Sequence, residues 1–322
     1  MRYVRLGKTD MEVSALAFGT WSFGGEWGTF DKDEATETIH RALELGVTFF
    51  DTAQGYGFGA AESLLGEALW DAVQRQDVIV ATKGGLRREG DGLVRDASAS
   101  WIRSGVESSL RNLKTEYIDV YQIHWPDPNT SAEETGSILR DLVREGKIRH
   151  AGVSNYDVKQ MAELAEYGPM ETLQPPYHLF RRNIEDEILP YTEEHDIGVL
   201  VYGPLAHGLL SGTMKPTTTF TGDDWRSHSS DFTGEAFRRN LEVVDRLKTF
   251  ADERSMTLPQ LAVAWTLTHP AVDVAIVGAR RPAHLGETIA AADMLLTEES
   301  RSEIDRIMTD AVPVVGPSPD GL

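Results

Sequence analysis

Asp51, Tyr56, Lys83 and His124 are the side chains whose types and spacing could do chemistry together. Asp51 closes an apolar run at residues 47–51 and Tyr56 follows it. Lys83 comes directly after a run at 78–82, and His124 directly after one at 118–123. If these runs are neighbouring parallel strands, a carboxylate, a phenol, an ammonium and an imidazole converge on one rim. A phenol is a weak acid, with a reference pKa of about 10. A neighbouring ammonium stabilises phenolate, which makes the phenol a usable proton donor, and a carboxylate keeps that ammonium charged. Taken singly, each residue also has a structural reading: a strand-end Asp caps a helix, a Tyr anchors a loop, and a His sits satisfied in a core. The joint placement is what points to chemistry.

The elements needed for this placement are legible. A short hairpin around Gly7-Lys8 opens the chain. Eight short β-branched or apolar runs follow, at residues 14–18, 47–51, 78–82, 118–123, 148–153, 172–174, 199–202 and 272–277. Segments of helical period lie between them, at 34–45, 62–73, 99–113, 132–144, 158–165, 184–195 and 235–251. Strand then helix, repeated eight times, predicts an α/β fold: a (β/α)8 TIM barrel with an N-terminal hairpin, built as one domain over residues 1–322. Extra helices are expected at 258–268, before the last strand, and at 283–292 and 298–308, after it. No G-x-G-x-x-G fingerprint follows a strand; the nearest run, Gly55-Tyr56-Gly57-Phe58-Gly59, reaches Glu62 where its third glycine belongs. The connection at 208–234, rich in Gly, Thr, Ser and Asp, reads as a lid over a ligand or as plain surface disorder.

Composition narrows the classes of function. With 31 Lys and Arg against 51 Asp and Glu, the net charge of −20 disfavours nucleic acid and anionic membrane surfaces as partners. The 322 residues contain no cysteine, so disulfides, thiol nucleophiles and Cys-ligated metals are excluded. No metal site is expected. The first residues lack an apolar signal core and no run has the length of a membrane span, so a cytoplasmic location is the expectation.

The run Gly46-Val47-Thr48-Phe49-Phe50-Asp51-Thr52-Ala53-Gln54-Gly55-Tyr56-Gly57 closely resembles the second-strand signature of the aldo-keto reductase family, and Trp125-Pro126-Asp127-Pro128 and Gln174-Pro175-Pro176-Tyr177 resemble a bacterial branch of it. Ala81-Thr82-Lys83, Tyr117-Ile118-Asp119-Val120-Tyr121-Gln122-Ile123-His124-Trp125, Gly146-Lys147-Ile148-Arg149 and Gly152-Val153-Ser154-Asn155 resemble the strands that follow, in the family's order. The resemblance implies a reductase of aldehydes or ketones. Tyr56 would be the general acid, Lys83 and Asp51 its tuning pair, and His124 the group that orients the carbonyl. Hydride would come from NADPH, with NADH the less favoured cofactor.

The same resemblance implies the cofactor contacts. Ser154, Asn155 and Gln174 would hold the nicotinamide carboxamide, with Thr20, Trp21 and Asp51 near that end, and Tyr202 would stack on the ring. Gly203, Pro204, Leu205, Ala206, Gly208, Ser211 and Gly212 would meet the pyrophosphate, although turn chemistry explains the glycines equally well. Gly278, Arg280, Arg281, His284, Glu287 and Thr288 would meet the adenosine. His284 stands where the family usually has Gln or Arg, and Thr288 where it has Asn. The adjacent Arg280 and Arg281 suit a ribose 2′-phosphate, or else surface salt bridges.

Trp21, Phe23, Trp27, Phe58 and Trp125 gather near the expected mouth as candidates for a substrate pocket, some of them as packing residues. The substrate would be a small carbonyl or alcohol compound, and the sequence leaves the oligomeric state open. The alternatives are an NADPH-binding regulatory subunit resembling channel β-subunits, and a barrel hydrolase or lyase without a redox cofactor.

Overall fold

The computed structural model describes residues 1–25, 28–90, 92–222 and 224–317. Strands β1 (Tyr3–Arg5) and β2 (Glu12–Ser14) form the opening antiparallel hairpin. The barrel begins with β3 (Leu16–Gly19), β4 (Phe49–Asp51) and β5 (Ile79–Gly84). After an inserted hairpin, β6 (Leu86–Glu89) with β7 (Gly92–Arg95), it resumes with β8 (Ile118–Ile123), β9 (Ile148–Ser154), β10 (Thr172–Gln174), β11 (Gly198–Tyr202) and β12 (Val274–Val277). All eight barrel strands pair in parallel in chain order, and β12 closes on β3 through Ala275↔Leu16, Ile276↔Ala17 and Val277↔Phe18. Parallel pairing requires a crossover between successive strands. The crossovers carry α1 (Lys32–Glu44), α2 (Ala60–Trp70), α3 (Ala99–Asn112), α4 (Ala132–Arg144), α5 (Val158–Ala165), α6 (Ile188–Glu194) and α7 (Gly234–Asp252), then α8 (Leu258–Leu267). Helices α9 (Pro282–Ile289) and α10 (Glu298–Met308) follow β12.

Local chemistry sets these boundaries. Asp31, Ser98, Ser131, Asp157, Thr257 and Thr297 each accept a backbone N–H from the first turn of their helix, and Asp157 and Thr257 form full capping boxes with Gln160 and Gln260. The helix expected at 184–195 is shorter than its period suggested. A 3-10 turn at Asn183–Glu185 precedes it, and Pro190, which is tolerated only in a first turn, places the start of α6 just before it. Ser14 belongs to the hairpin rather than to the first barrel strand.

Two apolar layers hold the barrel. Ala17, Phe49, Ala81, Val120, Leu200 and Val274 fill its interior, and Leu6, Met11 and Val13 of the opening hairpin join them as a plug. Gly7 is required there, because a Cβ would come 2.2 Å from the Gly198 nitrogen and its φ is +46°. The outward faces of the strands pack against the helices, in a cluster that includes Phe18, Phe50, Leu65, Ile102, Leu139, Val153 and Leu261. No described helix is long and apolar enough to cross a membrane.

His150, in β9, lies between two carboxylates, with Nδ1 3.0 Å from Glu171 Oε1 and Nε2 2.9 Å from Asp10 Oδ1. Burial pulls its pKa down, but the two carboxylates outweigh that and raise it above 6.5. Its stabilisation is therefore complete below the unfolded value and is lost as pH rises through the folded one. His150→Ala should accordingly destabilise the fold more at about pH 5.5 than at about pH 9, as read from urea unfolding midpoints. An equal loss at both values would refute this pairing.

Candidate active site

Asp51 ends β4, Lys83 lies near the end of β5, and His124 follows β8. Because β4, β5 and β8 are consecutive neighbours in a parallel sheet, the three residues reach the same rim. Tyr56 joins them from a 3-10 turn, Tyr56–Gly59, in which Gly57, Phe58 and Gly59 have positive φ. Gly57 must be glycine, since a Cβ at its φ of +58° would come 2.6 Å from the Gly24 carbonyl oxygen.

Lys83 Nζ donates to both oxygens of Asp51, at 2.7 and 2.9 Å, and to the Thr52 carbonyl at 2.9 Å. It also reaches the Tyr56 hydroxyl at 3.5 Å. Lys83 and Asp51 are 0% and 2% exposed. Burial pushes the Asp51 carboxyl up and the Lys83 ammonium down, and the attraction between the two charges opposes both shifts. Gln174 Nε2 donates to Asp51 Oδ2 at 2.9 Å and to Gln122 Oε1 at 3.0 Å, which fixes the carboxylate from the far side. His124 meets the Tyr56 ring edge-on at 5.8 Å, and burial, aided by the Lys83 charge, holds its pKa well below 6.5. The imidazole is therefore neutral at physiological pH. Trp21 stacks near Tyr56 at 6.3 Å between ring centroids.

The residues expected to hold a nicotinamide carboxamide are joined by hydrogen bonds. Ser154 Oγ donates to the Gln174 carbonyl at 2.7 Å. Asn155, at φ +63°, donates from Nδ2 to the His124 carbonyl and to Ser154 Oγ, each at 3.0 Å, and accepts from the Tyr202 hydroxyl at 2.9 Å. Beyond Tyr202 the chain turns through Gly203, Pro204, Leu205 and Ala206 to Gly208, Ser211 and Gly212, with positive φ at Gly203, Ala206, His207, Gly208 and Gly212. Left-handed residues interrupt the helical turn at Ala206, His207 and Gly208, and turns of this kind present backbone N–H groups that suit phosphate oxygens. The chemistry of these residues fits a nicotinamide carboxamide and the phosphates of its dinucleotide.

The family model described as "Aldo/keto reductase family" matches residues 15–309. The chain belongs to the aldo/keto reductase family. It is 40% identical to Aldo-keto reductase YhdN of Bacillus subtilis (strain 168), over 97% of this chain and 95% of that protein. It is 33% identical to the NADH-specific methylglyoxal reductase of Escherichia coli (strain K12), over 92% and 95% of the two chains. Among solved structures, the glycerol dehydrogenase AKR11B4 from Gluconobacter oxydans superposes with a TM-score of 0.89 at 40% identity, covering 98% of each chain. Aldo/keto reductases are oxidoreductases that use a nicotinamide cofactor.

Of the residues expected to meet an adenosine, Gly278, Arg280, Arg281, His284 and Glu287 are exposed, whereas Thr288 is buried with its hydroxyl on the His284 carbonyl. The two adjacent arginines are not equivalent: Arg281 pairs with Glu34 at 3.4 Å, while Arg280 feels the charges of Arg226 and Asp224. Arg226 comes from the long connection, which is folded rather than loose. It forms an ion pair with Asp224 at 2.6 Å and donates to the His207 carbonyl at 3.0 Å, and Phe232 packs among Phe220, Trp225 and Phe237. The sequence reading missed Arg226. The signal available was an Asp-Trp-Arg run inside an otherwise small, polar loop.

The aromatic candidates separate. Trp21, Phe58 and Trp125 retain exposure beside Tyr56 and His124. Phe23 does not belong to the pocket: it is 1% exposed and packs on Phe18 at 6.1 Å and Phe30 at 5.4 Å, because the 3-10 turn Trp21–Phe23 aims it inward. Trp27 lies outside the described residues. Thr20 is fully buried and ties β3 to β4, with Oγ1 donating to the Asp51 carbonyl at 3.2 Å. The hairpin β6–β7 was also missed, although Gly90-Asp91-Gly92 between two strand-like runs was a turn signal.

Proposed function

We propose that this aldo/keto reductase reduces small aldehydes or ketones to alcohols with NADPH, using Tyr56 as the proton donor. The observation that carries the reading is the Lys83 ammonium 3.5 Å from the Tyr56 hydroxyl, bonded to Asp51 and beside a neutral imidazole. Reduced nicotinamide, when bound, supplies hydride. As the carbonyl carbon accepts that hydrogen with its electron pair, the C=O π bond breaks toward oxygen, which takes the Tyr56 proton. Lys83 stabilises the phenolate left behind until it recovers a proton from solvent. Neutral His124 is suited to donate a hydrogen bond that orients the carbonyl, and not to serve as the acid. Run in reverse, the same groups oxidise an alcohol. A purely regulatory role would leave the buried pair beside Tyr56 without a use.

Asn155, Ser154 and Gln174 would hold the carboxamide, Tyr202 the ring face, and the turn from Gly203 to Gly212 the pyrophosphate. Arg280 would hold the 2′-phosphate, which favours NADPH over NADH; Arg281 is engaged by Glu34, and Arg226 by Asp224 and the His207 carbonyl. NADPH oxidation across a panel of aldehydes, ketones and dicarbonyls, repeated with NADH, tests the reading. Arg280→Ala should raise KM for NADPH by about tenfold and leave KM for NADH nearly unchanged. Equal effects on the two cofactors would refute a 2′-phosphate contact.

A further inference from the structure

The hairpin β6–β7 stands over the barrel mouth with its charges sorted by face. Its register pairs Leu86 with Arg95 and Arg88 with Leu93. Side chains alternate along a strand and opposed residues share a face, so Leu86, Arg88, Leu93 and Arg95 occupy one side. That side looks toward the catalytic residues, because Leu86 packs beside Gly55, which adjoins Tyr56 and His124. Arg88 lies over the Phe58 ring at 4.2 Å and Arg95 over the Trp125 ring at 5.5 Å, so both arginines cover aromatics of the mouth. The hairpin's other face neutralises itself, with Arg87 bonded to Glu89 at 3.4 Å and to Asp96 at 3.3 Å. Arg88 is exposed and has no hydrogen-bond or ion-pair partner among the described residues. A guanidinium resting on an aromatic ring keeps its N–H edge available for an oxyanion. In a chain of net charge −20, such a cation beside the mouth makes a local positive field where most of the surface repels anions.

We infer that the mouth takes a short carbonyl compound bearing an anionic group, a carboxylate or a phosphate, and that Arg88 binds that group. This rests on the proposed reduction at Tyr56.

The test compares kcat/KM, with NADPH and the full chain, for glyceraldehyde 3-phosphate against glyceraldehyde and for 4-oxobutanoate against butanal. It uses the wild type, Arg88→Gln, and Arg87→Gln as a control that removes an equal charge from the opposite face. At least one charged substrate should be preferred over its neutral counterpart, and the pair that shows the preference identifies the oxyanion. The preference should fall about fivefold in Arg88→Gln, through KM, and should persist in Arg87→Gln. It should also shrink as salt is raised from about 0.05 M to about 0.5 M. Parity of charged and neutral substrates in the wild type, a preference that survives in Arg88→Gln, or an equal fall in both variants would overturn the inference. Turnover of the neutral aldehydes keeps the reductase reading separate: if none of the four compounds oxidises NADPH, that reading falls, and this one with it.

Discussion

Tyr56→Phe is expected to lower kcat for carbonyl reduction by about a thousandfold while leaving the dissociation constant for NADPH within about twofold. The substitution removes one oxygen and keeps the ring, so the packing against Trp21 and the edge contact with His124 survive. Only the proton is lost, and no neighbour can replace it. His124 is neutral, held well below its ordinary pKa by burial and by Lys83, and Lys83 is committed to Asp51 and to the Thr52 carbonyl. Because the proton moves in the transition state rather than in the ground state, the loss should appear in kcat more than in KM. Steady-state rates with an aldehyde the wild type accepts, alongside a fluorescence titration with NADPH, provide the check. A variant that kept a tenth of the wild-type rate would remove Tyr56 from its assigned role.

Lys83→Met should cost about 3 to 5 kcal/mol of stability near neutral pH and abolish turnover, because it leaves a buried carboxylate without its cation. Asp51 is 2% exposed and, among the described residues, would keep only the Gln174 amide as a side-chain partner. The sign of the pH dependence follows from burial, which already pushes Asp51 above its unfolded value of 3.8 and would do so unopposed in the variant. The folded variant then holds a proton that the unfolded chain releases. Its stability is greatest below the unfolded value and falls as pH rises through the folded one. Urea unfolding at about pH 4.5 and about pH 8 should therefore show the larger deficit at the higher pH. Adding Asp51→Asn should recover much of the stability and none of the activity. A deficit that did not vary with pH would mean that lost packing, and not the orphaned charge, is responsible.

The strand-end residues were legible because a parallel barrel turns chain order into position. Asp51, Lys83 and His124 each follow an apolar run, and once those runs become β4, β5 and β8 the rim is shared. Phe23 and Phe58 are chemically alike and each follows a barrel strand, yet one is core and the other lies at the mouth, since a single 3-10 turn and a positive φ decide their directions. Arg280 and Arg281 are adjacent, but Glu34 of α1 engages one, while the other feels the charges of Arg226 and Asp224 of the long connection. No local pattern encodes such choices.

The sequence alone determined the alternation of strand and helix, the order in which polar residues arrive at strand ends, the exclusion of thiol chemistry and the family likeness, all of which depend on covalent order and local periodicity. Only the tertiary structure decided that β12 closes on β3, that Lys83 lies within reach of the Tyr56 hydroxyl, and that one face of the β6–β7 hairpin carries its arginines to the mouth. Those outcomes depend on burial and on partners far apart along the chain. Such contacts form only when the barrel closes.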